Sequence, residues 1–296
     1  MKKAPNATII ASPNGVKGLK KHYGNDYNYK EVKTGETLNI GNRNLNFLLT
    51  PMVHWPDNMV TFCPEENILF SNDSFGQHLA SSERFDDEYP KNIIFEEAKK
   101  YYANIVLPYS SQVQKELQNA SKLDIKMIAP SHGIIFKKHI SEIIDYYKKW
   151  SSNQTDKKSV IIYDTMWSST KKIAYAIQNG FEKSGYKTRI LNLNTNHISD
   201  IMTEILNSEY ICIGSPTLNN NIMPSVASFL TYLKGLAPKN RKGLAFGSYG
   251  WGGQSVPIIN KELEDSGFET LEKIKINYIP SKKMLKNIEN KIAEQI

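Results

Sequence analysis

The chain has 296 residues, 40% of them hydrophobic, with a formal net charge of +7 and two cysteines. The length suits two packed domains. No apolar run approaches the ~20 residues of a bilayer span, the opening "MKKAPNATIIASPNG" has no unbroken apolar core of a signal peptide, and Cys63 and Cys212 form no CxxC pair, which excludes a disulfide framework and cysteine-ligated metal. A cytoplasmic protein away from membranes is the expectation. The lysines are dispersed and no RNP, zinc-finger or helix-turn-helix pattern accompanies them, so nucleic acid is not an expected partner. They read as solvated surface, or as a surface attracting an acidic protein.

In the first half, three short apolar runs each end on a residue able to bind metal. "NFLLTPMVH" runs out on His54, "NILFSND" on Asp73, and "IAPSHG" reaches His132. A strand end holds a side chain in fixed geometry, and imidazole with carboxylate suits zinc, iron or manganese. Singly, His54 reads equally as a loop histidine, Asp73 as a turn cap and His132 as a turn residue before Gly133. Their shared placement points to one rim. Helical periodicity predicts helices over "NIIFEEAKKYYANI", "YSSQVQKELQNAS" and "HISEIIDYYKKW". With the short strands they make an α/β or α+β domain. The polar stretch Lys148 to Ser159 reads as a linker, dividing the chain into domains 1–150 and 151–296.

After it, strands and helices alternate. Strand "SVIIYD" leads to helix Lys171 to Ser184, capped by Gly185. Strand "TRILNL", a helix through "DIMTEILNS", strand "YICIGSP", helix "SVASFLTYLKGL" and strand "GLAFGSYG" follow. Helix "VPIINKELEDSG", strand "LEKIKINYIP" and helix "KKMLKNIENKIAEQ" complete the series. Five strands, each followed by a helix, predict a doubly wound parallel sheet. Ligands of such sheets sit outside the strands' carboxyl ends. Three loops there stand out. Asp164 to Thr170 offers hydroxyls on Thr165, Ser168, Ser169 and Thr170, beside Met166 and Trp167, at a helix N-terminus that favours phosphate; ordinary N-capping is the plainer alternative. Ser215, Pro216, Thr217, Leu218 and Asn219 form the second loop. Ser248, Tyr249, Gly250, Trp251, Gly252 and Gly253 form the third, where glycines permit close backbone approach and aromatic rings can stack on a flat ligand.

With "YDTMWSST" as phosphate loop, the second half resembles a flavodoxin domain. The resemblance implies FMN held at the phosphate by Thr165, Trp167, Ser168, Ser169 and Thr170, and around the ring by Asn219, Tyr249, Gly250, Trp251 and Gly252. The family usually has glycine where Ser168 stands. That serine is harmless with ordinary backbone angles and weakens the loop otherwise. Upstream, "HWPDNM", "SNDSFGQH" and "PSHG" in this order resemble the flavodiiron proteins, or A-type flavoproteins, over essentially the whole chain. The fold so implied is a partial metallo-β-lactamase-like αββα domain followed by a flavodoxin-like five-stranded sheet. The implied site is a diiron pair with His54 and His132 as terminal ligands and Asp73 as the bridge. Tyr101 would line the substrate pocket, and His78 would stand behind the ligands or at the surface. The implied activity is reduction of O2 to water or NO to N2O, with electrons passing from a rubredoxin-like donor through FMN, in a homodimer or homotetramer. The family's H-x-E-x-D-H motif has no counterpart in this chain. The expectation is therefore a centre short of iron ligands, impaired or completed by a partner polypeptide. The alternatives are an FMN-binding electron carrier with a degenerate metal domain, an inactive fragment, and a zinc hydrolase.

Overall fold

The computed structural model describes residue 4 and residues 6–296. Two compact units divide at Ser152 and Asn153.

The first unit opens with strand β1 (Thr8–Ala11), helix α1 (Pro13–Tyr23) and strand β2 (Asn28–Glu31), the two strands pairing in parallel. The Ser12 hydroxyl caps α1 by accepting from Gly15 N at 3.0 Å, with Pro13 opening the helix. A five-stranded sheet follows, in the order β3 (Thr37–Asn39), β4 (Asn44–Leu49), β5 (Met59–Cys63), β6 (Ile68–Asn72), β7 (Met127–Pro130). Pairing is antiparallel up to β6, and β6 and β7 are parallel. It follows that β4, β6 and β7 all run the same way, so their carboxyl ends share one edge. The residues just beyond those ends include His54, Asp73 and His132. Between β6 and β7 lie helices α2 (Lys91–Tyr101) and α3 (Ser110–Ala120), and α4 (Ile140–Ser151) closes the unit. Their apolar faces bury Ile94, Ala98, Val113, Ile143, Tyr147 and Trp150 in a core shared with Ile128 and Phe136.

The second unit alternates β8 (Asp156–Tyr163), α5 (Ser169–Lys183), β9 (Lys187–Asn192), α6 (Ile198–Ile205), β10 (Ser208–Gly214), α7 (Pro224–Leu236), β11 (Lys242–Tyr249) and α8 (Ser255–Asp265). Strands β12 (Glu269–Thr270) and β13 (Ile274–Asn277) and helix α9 (Lys282–Gln295) complete it. Every pairing is parallel, and the order runs β9, β8, β10, β11, then β12 and β13 side by side in sequence on β11. This is the flavodoxin-like order, whose chain reversal at β8 opens a crevice between the ends of β8 and β10.

Four elements depart from the sequence reading. The linker expected over Lys148 to Ser159 shrinks to residues 152–155. Trp150 and Tyr147 are core residues that carry α4 to Ser151, and polar Asp156 already pairs with Ser208. The helix expected over Asn92 to Ile105 changes at Tyr102 into a π turn, Tyr102–Val106, and then a 3-10 turn, Leu107–Tyr109. The helix expected over Asp200 to Ser208 starts earlier and stops at Ile205, because His197 caps it by accepting from Ser199 N, and Ser208 belongs to β10. The fifth strand, expected over Leu271 to Pro280, is confined to Ile274–Asn277, and a two-residue strand, Glu269–Thr270, precedes it. Gly185 does end α5 as expected, at φ +77 and donating to Glu182 O at 2.9 Å.

Candidate functional site

The edge formed by β4, β6 and β7 brings the three residues together. His54 Nε2 lies 3.2 Å from Asp73 Oδ2, and His132 Nε2 lies 3.4 Å from Asp73 Oδ1. One carboxylate thus faces two imidazoles, each on its own oxygen. Among the described residues no group of three or more His, Cys, Asp or Glu side chains is placed to hold a single metal ion.

The loops that carry these residues are laced together by uncharged side chains. Thr50 N donates to Asn58 O at 3.0 Å, and Asn58 Nδ2 donates to Thr50 Oγ1 at 2.7 Å, which closes the loop that holds His54. Asn72 Nδ2 donates to Asn58 Oδ1, and Ser131 Oγ donates to Asn72 Oδ1 at 2.9 Å. The chain Thr50–Asn58–Asn72–Ser131 therefore connects all three loops, with Asn72 and Ser131 each one residue from a candidate ligand. Gln77, fully buried, makes a second connection. Its backbone N–H donates to His132 O at 3.1 Å, its side-chain oxygen accepts from Ile134 N at 2.7 Å, and its amide nitrogen donates to Phe75 O at 2.6 Å. Gly133 sits at φ +86 against it, and a Cβ there would stand 2.3 Å from Gln77 Oε1.

Tyr101, the last residue of α2 before the π turn, is buried with its ring centroid 6.1 Å from that of His132 and 4.9 Å from that of His78. π turns recur at functional sites because they re-aim side chains. Burial first, and the Asp73 carboxylate second, raise the Tyr101 phenol above its ordinary range, so it stays a neutral O–H donor. His78 is exposed, with its ring 6.0 Å from His132. It borders the cluster beside Tyr101 and His132.

In the second unit, the ends of the adjacent strands β8, β10 and β11 place the three expected loops side by side. Ser168 heads α5 in the left-handed region, φ +66, and makes no cap bond. The first-turn N–H groups of α5 are left without a side-chain acceptor, which is the arrangement an anion completes. Ser169 and Thr170 are buried beneath, while Met166 and Trp167 stand exposed. The Thr170 hydroxyl bonds Ser248 Oγ at 3.0 Å and so joins the first loop to the third. Asp164, also buried, accepts from Thr165 N and Asn194 Nδ2 at 2.6 Å each, and from Ser225 Oγ. The second loop is held by Thr217 N to Ser248 O at 3.0 Å and by Met223 N to Ser215 Oγ at 2.9 Å. Pro216 is buried, Leu218 half-buried, and Asn219 exposed at φ +48. In the third loop Tyr249 is half-buried under Lys275, whose ammonium lies 4.9 Å from the ring centre. Gly250 is half-buried, Trp251 is 83% exposed, and Gly252 and Gly253 have φ +78 and +81. Gln254 Oε1 is buried with no partner in this loop. An uncapped helix start, an unpaired buried oxygen and exposed rings around one strand edge fit a ligand with a phosphate and a flat ring system.

The flavodoxin family model matches residues 161–291, and the model of the ODP family beta lactamase matches residues 1–133. The nitric oxide reductase of Moorella thermoacetica is 44% identical over 274 residues, which cover 92% of this chain and 69% of that protein. The flavodiiron protein of Giardia intestinalis superposes with a TM-score of 0.95 at 34% identity, over 98% of this chain and 72% of that one. The chain belongs to the flavodiiron protein family. The rubredoxin oxygen:oxidoreductase of Desulfovibrio gigas is likewise similar, with a TM-score of 0.94 at 36% identity over 98% of this chain and 73% of that chain. The two-part fold expected from the sequence, a beta-lactamase-like unit and a flavodoxin-like sheet, is the flavodiiron fold. Among the described residues no helix is long and apolar enough to cross a membrane.

Sequence reasoning named the charged and aromatic residues that the fold gathers at these two strand edges and missed the polar lacing. Asn58, Asn72, Ser131 and Gln77 stand inside "HWPDN", "SND", "PSHG" and "GQH". Their place in these motifs was the available signal, but their partners in other loops are 14 to 59 residues away in sequence.

Proposed function

We propose that the chain is an oxidoreductase of the flavodiiron type, passing electrons through FMN to a diiron site that reduces O2 or NO. The observation that carries this is Asp73 with one imidazole on each carboxylate oxygen. In this reading residues 1–150 form the metal domain and residues 151–296 the FMN domain. His54 and His132 would each hold one iron and Asp73 would bridge them. The donor set fits iron in kind, nitrogen and carboxylate oxygen. Three side chains are fewer than two irons ask for, so the other donors are water or groups outside these three. FMN would lie with its phosphate on the start of α5, against Thr165, Ser168, Ser169 and Thr170, and its ring among Asn219, Tyr249, Gly250 and Trp251. When bound, FMN accepts and releases electrons one or two at a time. The remaining work belongs to the chain. The polar lacing fixes the ligand loops, and Tyr101, its ring beside His132, keeps its phenol proton. An electron-donor protein, rubredoxin-like or another, reduces the flavin in a homodimer or homotetramer.

A second reading, supported by the uncapped start of α5 and the loops beside it, is an FMN-binding electron carrier whose metal domain is degenerate. Flavin absorbance and elemental analysis of the purified chain separate the two. One FMN and two irons per chain support the oxidoreductase, and FMN without iron supports the carrier. Absence of both removes both readings.

A further inference from the structure

The Asp73 loop rests on a buried acid that the proposed chemistry does not use. Glu116 points inward from α3, and the residue is 6% exposed. Both of its carboxyl oxygens lie 3.0 Å from a single atom, Ser74 Oγ. Ser74 directly follows Asp73. Among the described residues no lysine, arginine or histidine pairs with this carboxyl.

The bond count decides the form of the acid. A serine hydroxyl has one proton and can satisfy one carboxyl oxygen. As a carboxylate, Glu116 leaves its second oxygen buried beside another acceptor, which is unfavourable. As a neutral acid it closes both contacts: Ser74 O–H donates to the carbonyl oxygen, and the acid O–H donates back to Ser74 Oγ. We propose that Glu116 is a positioning residue that holds the Asp73 loop through Ser74 as a neutral carboxylic acid.

The same loop shows what is being held. Ser71 Oγ donates to Ser74 O at 2.7 Å, Gly76 N to Asp73 O at 3.1 Å, and Phe75 N to the Tyr147 hydroxyl at 2.8 Å. Phe75 itself is in the left-handed region at φ +65, a conformation that a bulky residue adopts only when its surroundings impose it. Burial pushes Glu116 up to about 7, with the Ser74 bond opposing, in keeping with the bond count. From α4 Tyr147 is within electrostatic reach of Glu116, and it also feels Tyr102 and Tyr101. All three phenols are raised by burial and stay neutral in this range, so none of them supplies a compensating charge.

The consequence for metal binding rests on Asp73 being a ligand; the state of Glu116 does not. The test uses the full chain and the variants Glu116→Gln, which keeps one donor and one acceptor, and Glu116→Ala. A carboxylic-acid carbonyl band is expected in the infrared difference between the chain and Glu116→Gln at pH 6, fading above pH 8. Amide exchange of Ser74, Phe75 and Gly76 should quicken about tenfold in Glu116→Ala and stay within about twofold in Glu116→Gln. Absence of the band overturns the neutral acid. Equal exchange in the two variants overturns the positioning role. Titration with ferrous iron is the separate measurement on the site: weakening of about tenfold in Glu116→Ala alone is expected if the loop orients Asp73. No iron uptake by the unaltered chain would remove the metal reading of Asp73, while the band and the exchange still decide Glu116.

Discussion

At the scale of single residues, backbone conformation decides which side chains are tolerated. Ser168 heads the phosphate loop at φ +66, where a Cβ is unfavourable. The sequence reading made the effect of this serine depend on its angles, and those angles are not ordinary. Ser168→Gly is expected to stabilise the second unit by about 0.5–1 kcal/mol and to tighten FMN a few-fold. Urea unfolding with and without FMN measures both, and a destabilised variant would show that the serine hydroxyl outweighs its strain. Gly133 is the opposite case. Its Cβ would meet Gln77 Oε1 at 2.3 Å and Gln77 O at 2.8 Å, at φ +86. Gly133→Ala should cost about 2–3 kcal/mol and displace His132. An unchanged unfolding midpoint would argue that Gln77 swings away freely.

At the scale of elements, the direction of strands makes the sites. The sequence marked His54, Asp73 and His132 as strand-end residues, which was legible from apolar runs that stop abruptly for Asp73 and His132, whereas β4 stops at Leu49 and His54 lies in the loop beyond it. Whether they met depended on β4, β6 and β7 running in one direction, which the runs do not encode. The aromatic-glycine and polar loops meet for a similar reason. Gly247 in β11 lies where a Cβ would stand 2.0 Å from Ser215 O at the end of β10. Gly247→Ala should force these strand ends apart, costing about 2–4 kcal/mol and abolishing FMN retention on a desalting column. Full retention would place the flavin elsewhere. The π turn after Tyr101 escaped the sequence because its apolar spacing resembles that of the α-helix on either side.

At the scale of the whole molecule, two units carry two ligand sites, and linkage separates them. FMN at a hundredfold excess over its dissociation constant should stabilise the second unit by about 2.7 kcal/mol. Amide exchange in α2 to α4 should not change. Protection of both units together would show them unfolding as one. Proton linkage acts on the first unit. Glu116 has a folded value raised from 4.5 to about 7. Below 4.5 both states hold the proton, and the group favours neither. Between 4.5 and about 7 the unfolded chain releases it first, so stability falls as pH rises, by up to about 3 kcal/mol, and levels off above. Glu116→Gln lacks this slope. Exchange of α3 amides in the two proteins, compared at each pH, should diverge from pH 5 to pH 7.5; parallel curves would place Glu116 in an ordinary environment.

By itself the sequence determined the alternation of elements in the second half, the three loops at its strand ends and the identity of the ionisable and aromatic side chains. Those follow from local periodicity and residue chemistry, which act within a few residues. The tertiary structure alone decided which of them meet. The carboxylate between two imidazoles, the Thr50–Asn58–Asn72–Ser131 chain and the acid behind Ser74 join residues up to 59 apart in number. Hydrogen bonds form across strands and between layers only once packing has brought their partners within about 3 Å.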